Sequence, residues 1–221
     1  MAYQHRFVND QAPDLTLGKI VCVGRNYADH AKELNNPIPT EPMLFIKPST
    51  AAVALEQPFS IPRGLGSVHF ETEMSVLIGR QLTNASEDDA KSAIVGVGVG
   101  LDLTLRDLQD ALKSKGHPWE KAKAFDGACP LSAFVSPEHI DNLQNVQIRL
   151  RVNGDIRQDG NSAFMLNQVL PLISYISEFF TLEPGDVVMT GTPAGVGPIN
   201  QGDQVEVELV GVLSAQTSVL G

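Results

Sequence analysis

The chain has 221 residues, 43% of them hydrophobic, and its 26 acidic and 16 basic residues give a net charge of −10. This length and apolar content suit one sizeable folded domain, and the acidic balance disfavours nucleic acid and anionic membranes as partners. No apolar run reaches the ~18 residues that span a bilayer, and the N-terminus lacks the apolar core of a signal peptide. We therefore expect a cytoplasmic protein with no membrane partner.

The first quarter of the chain predicts a polar lead-in over 1–18, a buried strand over 19–23 and a helix over 28–34. His30 and Glu33 are three residues apart, so they share one face of that helix. Such a pair is usually an incidental surface contact, and the spacing alone favours that interpretation. In a functional site the carboxylate would orient the imidazole, and the pair could deprotonate water.

A second strand is predicted over 43–47, and the prolines and glycines of 51–68 predict short strands and loops. The apolar second half of 69–79 indicates a further strand. Side chains two residues apart on a strand point to the same face, so Glu71 and Glu73 lie roughly 6–7 Å apart at their Cα atoms. Two carboxylates that close repel each other unless a proton or a cation lies between them.

A third carboxylate, Asp102, follows another apparent strand. Hard divalent cations such as Mg²⁺ prefer oxygen ligands of this kind. We therefore predict that Glu71, Glu73 and Asp102 hold one metal ion. The alternative is that Glu-x-Glu marks a solvated strand face, which is its usual meaning.

The middle of the chain predicts two capped helices. Ser86 opens a capping box for a helix that ends near Ala93. Residues 95–100 then alternate valine and glycine, so another segment is expected to pack closely on the glycine face. Thr104 and Asp107 have the spacing of a second capping box, for a helix that runs to about residue 115 and carries Arg106 and Gln109 on one face.

The last third predicts mainly strands. A polar segment carrying lysines (121–127) precedes an alternating strand and a two-residue hairpin turn at 153–154. A long helix is predicted over 163–180, where Pro171 marks either a kink or a second start. The loop over 191–197 suits either a tight turn or a backbone cradle for an anion.

A strand over 187–190 and a hairpin around Gly211 complete a β-rich α+β domain with a few short helices. The strands and helices do not alternate regularly, which argues against a doubly wound sheet. Cys22 and Cys129 do not make a disulfide framework, and we expect both to be structural.

Four cations stand at the ends of apolar elements or in loops beside them: Arg25, Lys47, Arg106 and Lys123. Three carboxylates around one Mg²⁺ leave a net negative charge, so an acidic substrate would need cations opposite. Taken singly, each of these residues is most often a solvated surface charge.

The order of these motifs resembles the fumarylacetoacetate hydrolase family, and most closely its acylpyruvase branch. The resemblance covers the chain from residue 19 onward and implies one catalytic domain over 19–221 after the lead-in. It also implies a mixed β-sandwich roll, a homodimer and a bound Mg²⁺ or Mn²⁺ ion. The matching segments are Val23–Tyr27 with His30 and Glu33, Lys47–Pro48, His69-x-Glu71-x-Glu73, Gly100–Asp107, Lys121–Asp126 and Gly191–Gly197.

The resemblance also assigns roles. It makes Glu71, Glu73 and Asp102 the metal ligands. It makes His30 and Glu33 the water-activating pair on a short lid helix. Lys123 becomes the cation that supports an enolate. The residues around the substrate would be Arg25, Lys47, Arg106, Gln109 and Thr192.

The implied substrates are 2,4-diketo acids such as acetylpyruvate or fumarylpyruvate. Hydrolysis of their C–C bond would give pyruvate and a carboxylic acid through a metal-stabilised pyruvate enolate. Oxaloacetate fits the same site: loss of CO₂ gives the same enolate, and movement of a C3 proton interconverts its keto and enol forms. Oxaloacetate tautomerase and oxaloacetate decarboxylase are therefore the alternatives, and the residues that shape the acyl end do not choose among them.

Two rival interpretations lie outside this family. His69 and Glu71, with His117 or His139, imitate a two-histidine, one-carboxylate iron site, which would require Fe(II) and O₂. The other rival is a domain that binds a metal or a dicarboxylate without chemistry. The intact acid–base pair and its neighbouring lysine argue against simple binding, since binding alone needs no base.

Overall fold

The computed structural model describes residues 3–220. The helices are α1 (Ala28–Glu33), α2 (Glu87–Ala93), α3 (Arg106–Ser114), α4 (Glu120–Lys123) and α5 (Val169–Phe179). The strands are β1 (Lys19–Gly24), β2 (Met43–Pro48), β3 (Ala52–Ala54), β4 (Phe59–Ser60), β5 (Val68–Phe70), β6 (Thr72–Ile78), β7 (Ile94–Leu101), β8 (Thr104–Leu105), β9 (Cys129–Leu131), β10 (Gln147–Val152), β11 (Asp155–Asn161), β12 (Val187–Met189), β13 (Gly197–Pro198), β14 (Gln204–Leu209) and β15 (Leu213–Leu220).

The strands form three sheets. A seven-stranded sheet has the order β2-β1-β12-β6-β7-β9-β3, a five-stranded sheet has β11-β10-β14-β15-β4, and a three-stranded sheet has β13-β5-β8. Three of the pairings are parallel, namely β1 with β12, β3 with β9 and β15 with β4, and the rest are antiparallel. This mixed, β-rich architecture confirms the predicted fold class. No helix among residues 3–220 has the length and hydropathy to cross a bilayer.

The large sheet is buried on both faces, as β1 shows. Val21 and Val23 point into the main core, while Ile20 and Cys22 point into a smaller one on the opposite face. The smaller core also contains Leu17 from the lead-in. Apolar residues therefore run continuously along this strand, because alternate side chains both find apolar surroundings. Both cysteines are free and buried, as expected for structural thiols.

The glycines of β7 allow another segment to pack directly on that strand, as predicted. A Cβ atom at Gly96 would lie 2.9 Å from Cβ of Phe134, and one at Gly100 would lie 2.8 Å from Cδ2 of Leu131. Real Cβ atoms essentially never come this close, so a larger residue at either position would force the facing side chain to shift. The packing brings the end of β7, and hence Asp102, close to the β5–β6 junction, where the Asp102 amide donates to the Glu71 carbonyl at 2.8 Å.

One predicted capping box is confirmed and the other is wrong. Ser86 and Asp89 cap α2 reciprocally. Thr104 does not cap α3, because it belongs to β8 of the small sheet and its hydroxyl donates to the carbonyl two residues earlier. Asp107 instead accepts from the amide of Ser67 at 2.9 Å. Long-range strand pairing thus takes precedence over a local capping pattern.

The helix predicted over 163–180 begins later than expected. Residues 162–164 form a separate 3₁₀ turn, and α5 starts at Val169. Pro171 lies in the first turn of α5, where its missing N–H removes no intrahelical bond, so the second-start alternative is correct. The hairpin turns at 153–154 and around Gly211 are confirmed. The short helix α4, which overlaps the start of the predicted lysine-bearing segment, was not predicted.

Candidate metal and substrate site

Three buried carboxylates converge where β6 and β7 meet the small sheet. Glu71 lies between β5 and β6, Glu73 lies on β6, and Asp102 directly follows β7. One oxygen from each lies within 4.8 Å of the others, and no residue of the three is more than 5% exposed. The structure thus brings together the three residues predicted to bind metal. The alternative of a solvated strand face does not hold.

This triad is the only group of histidine, cysteine and acidic side chains within residues 3–220 that could hold a metal ion. His117 and His139 are both exposed, and neither contributes a ligand atom to it. The two-histidine, one-carboxylate iron site therefore finds no support in the geometry.

Three cations contact the triad. Lys123 Nζ lies 2.8 Å from Oε2 of Glu71 and 2.6 Å from Oδ2 of Asp102. The Arg106 guanidinium pairs with the other oxygen of Glu71. Lys47 Nζ lies 2.8 Å from Oδ1 of Asp102. The three carboxylates and three cations are formally balanced before any ion binds.

Lys47, which the resemblance places beside the substrate, has no exposed surface. Besides Asp102, its ammonium donates to the backbone carbonyls of Lys123 and Ala128. In this structure its contacts hold the base of the triad and the end of α4 together.

The charge on the triad is unevenly compensated. Burial raises the pKa of Glu71, but the charges of Lys123 and Arg106 outweigh that effect and hold it well below its usual range. Burial, together with the charges of Asp102 and Glu71, raises the pKa of Glu73 well above its usual range. The Gly191 amide donates to Oε2 of Glu73 at 2.7 Å and is too weak to reverse this.

The donor set fits a hard divalent cation. All three ligands are oxygens, and the ionised form of Glu73 lacks the compensation that its two neighbours receive from lysine and arginine. A divalent ion beside Glu73 would supply that charge. Mg²⁺ and Mn²⁺ are the ions that such carboxylate sites favour.

Lys123 remains an ammonium group in this setting. Burial lowers its pKa, but Asp102 and Glu71 raise it by more, and the net pKa lies above the ordinary lysine value. The side chain is therefore a fixed positive charge beside the triad.

The loop over 191–197 binds two of the protein's own carboxylates. The Gly191 amide holds Glu73, and the Gly195 amide donates to both oxygens of Glu33 at 3.0 and 3.2 Å. His30 is buried on α1, and its Nδ1 lies 3.3 Å from Oε2 of Glu33. The loop thus connects the α1 acid–base pair to the strand that carries Glu73. Its amides do bind anionic groups, as the cradle alternative expected, but here those groups are the protein's own carboxylates.

Three more of the predicted residues, Arg106, Gln109 and Thr192, are buried around the triad. Arg106 and Gln109 are buried and hydrogen-bonded to each other at 2.6 Å. Thr192 is buried, and its hydroxyl accepts a hydrogen bond from Gln158 Nε2 at 2.7 Å. Sequence reasoning missed Gln158, which also accepts from the Thr72 amide at 2.9 Å. A single glutamine in a largely exposed strand carries no local signal of such a role.

Arg25, which directly follows β1, has an unusual backbone conformation. Its φ is 58°, whereas the other non-glycine residues with positive φ in the described chain are asparagine or aspartate. A long side chain in this conformation is strained, and strain of this kind persists where the surroundings enforce it.

A cavity of about 610 Å³ opens beside Lys123. Its other walls are largely apolar. They are formed by Met43, Leu44, Phe45, Ile46, His117, Pro118, Trp119, Glu120 and Phe180.

Comparisons with known proteins agree on one protein family. The family model for the fumarylacetoacetate (FAA) hydrolase C-terminal region matches residues 19–220. The Escherichia coli K12 protein named oxaloacetate tautomerase YcgM is 52% identical over 95% of this chain and 96% of its own length. The Bos taurus mitochondrial protein named oxaloacetate tautomerase FAHD1 is 44% identical over 90% of each.

Among solved structures, fumarylpyruvate hydrolase from Pseudomonas aeruginosa in complex with Mn²⁺ and pyruvate superposes with a TM-score of 0.92. It is 32% identical, and the match covers 99% of this chain and 96% of that one.

Proposed function

The chain belongs to the fumarylacetoacetate hydrolase family, and we propose that it interconverts the keto and enol forms of oxaloacetate at a divalent metal ion. The family and the relatives make it an enzyme. The names of its relatives at 44–52% identity support the tautomerase alternative more than acylpyruvate hydrolysis, which was the first expectation from sequence. The fumarylpyruvate hydrolase is more distant, at 32%.

The observation that carries the proposal is the charge balance of the triad. Lys47, Arg106 and Lys123 already offset its three carboxylates. A divalent ion therefore adds two uncompensated positive charges to a buried site. The dianion of oxaloacetate neutralises them, as would the fumarylpyruvate dianion, whereas acetylpyruvate, with one carboxylate, leaves one unpaired, and unpaired buried charge is costly. The names of the relatives support oxaloacetate over fumarylpyruvate.

Glu71, Glu73 and Asp102 would hold the ion, which when bound supplies Lewis-acid stabilisation of the developing enolate oxygen. Lys123 adds a fixed positive charge beside the same centre, where preorganised charge lowers the energy of the enolate. Because its carboxylate neighbours keep it protonated, Lys123 is a poor candidate for the base.

That leaves His30 as the proton carrier. In the ketone-to-enol direction it takes a proton from C3 and returns that proton to the C2 oxygen, so no atom is lost or added overall. Glu33 accepts from the Gly195 amide and holds Nδ1 of His30, which orients the ring. Histidine paired with an orienting carboxylate is a common general acid–base arrangement.

Acylpyruvate hydrolysis remains the second candidate, and the cavity favours it. A space of about 610 Å³ with apolar walls beside Lys123 can receive an acyl chain that oxaloacetate lacks. In that reaction His30 would take its proton from water instead. Oxaloacetate decarboxylation is a third outcome, and it is the activity in the name of a Dictyostelium discoideum relative at 41% identity.

The deciding experiment uses the Mg²⁺-loaded protein with oxaloacetate, acetylpyruvate and fumarylpyruvate. Enol loss is followed by ultraviolet absorbance, and pyruvate and CO₂ are measured separately. We expect rapid enol–keto conversion with little pyruvate, abolished by EDTA. A higher kcat/KM for pyruvate release from an acylpyruvate would overturn the assignment in favour of the hydrolase.

The resemblance also leads us to propose a homodimer, which sedimentation equilibrium would test. The cytoplasmic location stays a prediction.

A further inference from the structure

Lys113 shares a helix face with two residues already placed around the substrate. It follows Arg106 by seven residues and Gln109 by four on α3, so the three side chains line one side of the helix. Seven residues correspond to two turns, or about 10 Å along the axis. Arg106 contacts Glu71 of the triad, so this row leads from the triad towards the end of α3.

Aromatic rings connect Lys113 to the cavity beside Lys123. Its ammonium lies 5.8 Å from the ring centroid of Trp119, which contacts Phe45 edge-on at 6.1 Å. Lys123 Nζ lies 5.2 Å from the ring of the same Phe45. Trp119 and Phe45 line the cavity, so an ammonium group lies near each end of one aromatic wall.

The charge of Lys113 is weakly compensated. The side chain is 24% exposed, and its nearest acidic partner, Asp110, lies at 3.7 Å and is 64% exposed. A pair of that kind contributes little. Burial lowers the pKa of Lys113, and the charges of Arg106 and Arg25 lower it further, whereas the charges of Asp110 and Glu71 raise it. An anion bound beside Lys113 would therefore be stabilised by a charge that its exposed partner compensates poorly.

We propose that Lys113 forms a distal subsite that selects substrates carrying a second carboxylate. The inference rests on the proposed function and names the group that recognises the C4 carboxylate of oxaloacetate, while the keto-acid end lies at the triad. Lys113 thereby acts as a specificity-determining residue. Acylpyruvates whose acyl group is uncharged, such as acetylpyruvate, gain nothing from it.

The test compares Lys113→Met with Lys115→Met, a change to an exposed lysine two residues further on. The substrates are oxaloacetate and its 4-methyl ester, which keeps the enolisable carbon but lacks the distal charge. We expect Lys113→Met to raise KM for oxaloacetate about tenfold or more, the loss expected for one charge-assisted hydrogen bond. KM for the ester, and kcat for both substrates, should change little. Lys113→Arg should restore most of the affinity.

A binding measurement separates this inference from the proposed function. Calorimetry on the Mg²⁺-loaded protein compares malate with lactate, which differ by the distal carboxylate. Lys113→Met should weaken malate alone, whether or not the wild-type protein turns over oxaloacetate. Failure of wild-type turnover would overturn the tautomerase assignment only. Equal weakening of both ligands, or no weakening of malate in a variant that melts at the wild-type temperature, would overturn the subsite.

Discussion

His30 and Lys123 divide the proposed chemistry between a proton carrier and a fixed charge. Lys123 touches two carboxylates at 2.6 and 2.8 Å, which keeps it cationic. His30 has one acidic partner, Glu33, which is itself held by a backbone amide. Removing His30 should therefore stop proton transfer, and removing Lys123 should weaken the stabilisation of the enolate.

At this scale we predict that His30→Gln lowers kcat for oxaloacetate tautomerisation by about 10²–10⁴, the usual contribution of a general acid–base. Mg²⁺ affinity should stay unchanged, because His30 is not a member of the triad. Enol absorbance gives the rate, and calorimetry gives the affinity. His139→Gln, an exposed histidine on a 3₁₀ turn, is the matched control. Wild-type kcat in His30→Gln would remove His30 from the mechanism.

The residues of the site differ in how far sequence could reveal them. Glu71 and Glu73 could be paired from spacing alone, because strand geometry puts alternate residues on one face. Placing Lys47 behind the triad, or Gln158 beside Thr192, requires the packing of distant segments. Local periodicity carries no information about such contacts.

Among the elements, the lead-in is held by a buried histidine to the turn that precedes β12. His5 Nε2 lies 2.8 Å from the Gly185 carbonyl, and its ring meets Phe134 edge-on at 5.7 Å. Burial lowers the pKa of His5, and the Gly185 bond and the charge of Asp186 offset this only in part. The neutral ring is therefore the form that the fold accommodates.

The burial of neutral His5 against Gly185 predicts that the free energy of unfolding falls in acid. A folded pKa below the unfolded value of about 6.5 means that the unfolded chain binds more protons in the window between them. The contribution of His5 is thus complete above about pH 6.5 and is lost as the pH falls through the folded pKa. His5→Gln keeps a donor for Gly185 but cannot titrate, so the free energy of unfolding should fall less between about pH 7.5 and about pH 5.5.

Urea unfolding at the two pH values measures the effect, with His139→Gln as the exposed control. His69, whose pKa is also lowered by burial first and then by Arg106, remains as a common background in all variants. An identical loss of stability on acidification in His5→Gln and wild type would show that the lead-in is not pH-linked.

Element boundaries were predictable where a local rule operates alone. Ser86 caps α2 as its spacing indicates, whereas Thr104 is taken up by β8 and cannot cap α3. Pro171 illustrates an intermediate case, because the sequence allowed either a kink or a new helix start. In the structure a new helix, α5, starts at Val169 and packs on the main core. Competition between local and long-range contacts explains both outcomes.

For the molecule as a whole, the β-rich class was evident from sequence but the strand order was not. The parallel pairing of β1 with β12 joins segments more than 160 residues apart, and no motif encodes it. On its other edge β12 pairs antiparallel with β6, and this places the loop that follows β12 beside the strand that carries Glu73. The site is therefore a property of the complete sheet.

A metal bound to the folded state alone should stabilise the entire domain. At a Mg²⁺ concentration about 100 times its Kd, the free energy of unfolding should rise by about 2.7 kcal/mol. The net charge of −10 means that any salt can also stabilise the fold by screening, so NaCl of equal ionic strength is the reference. Glu73→Gln should lose the magnesium-specific gain, while Glu206→Gln, on the five-stranded sheet, should keep it. Equal gains in both variants would show that Mg²⁺ acts through screening and not through the triad.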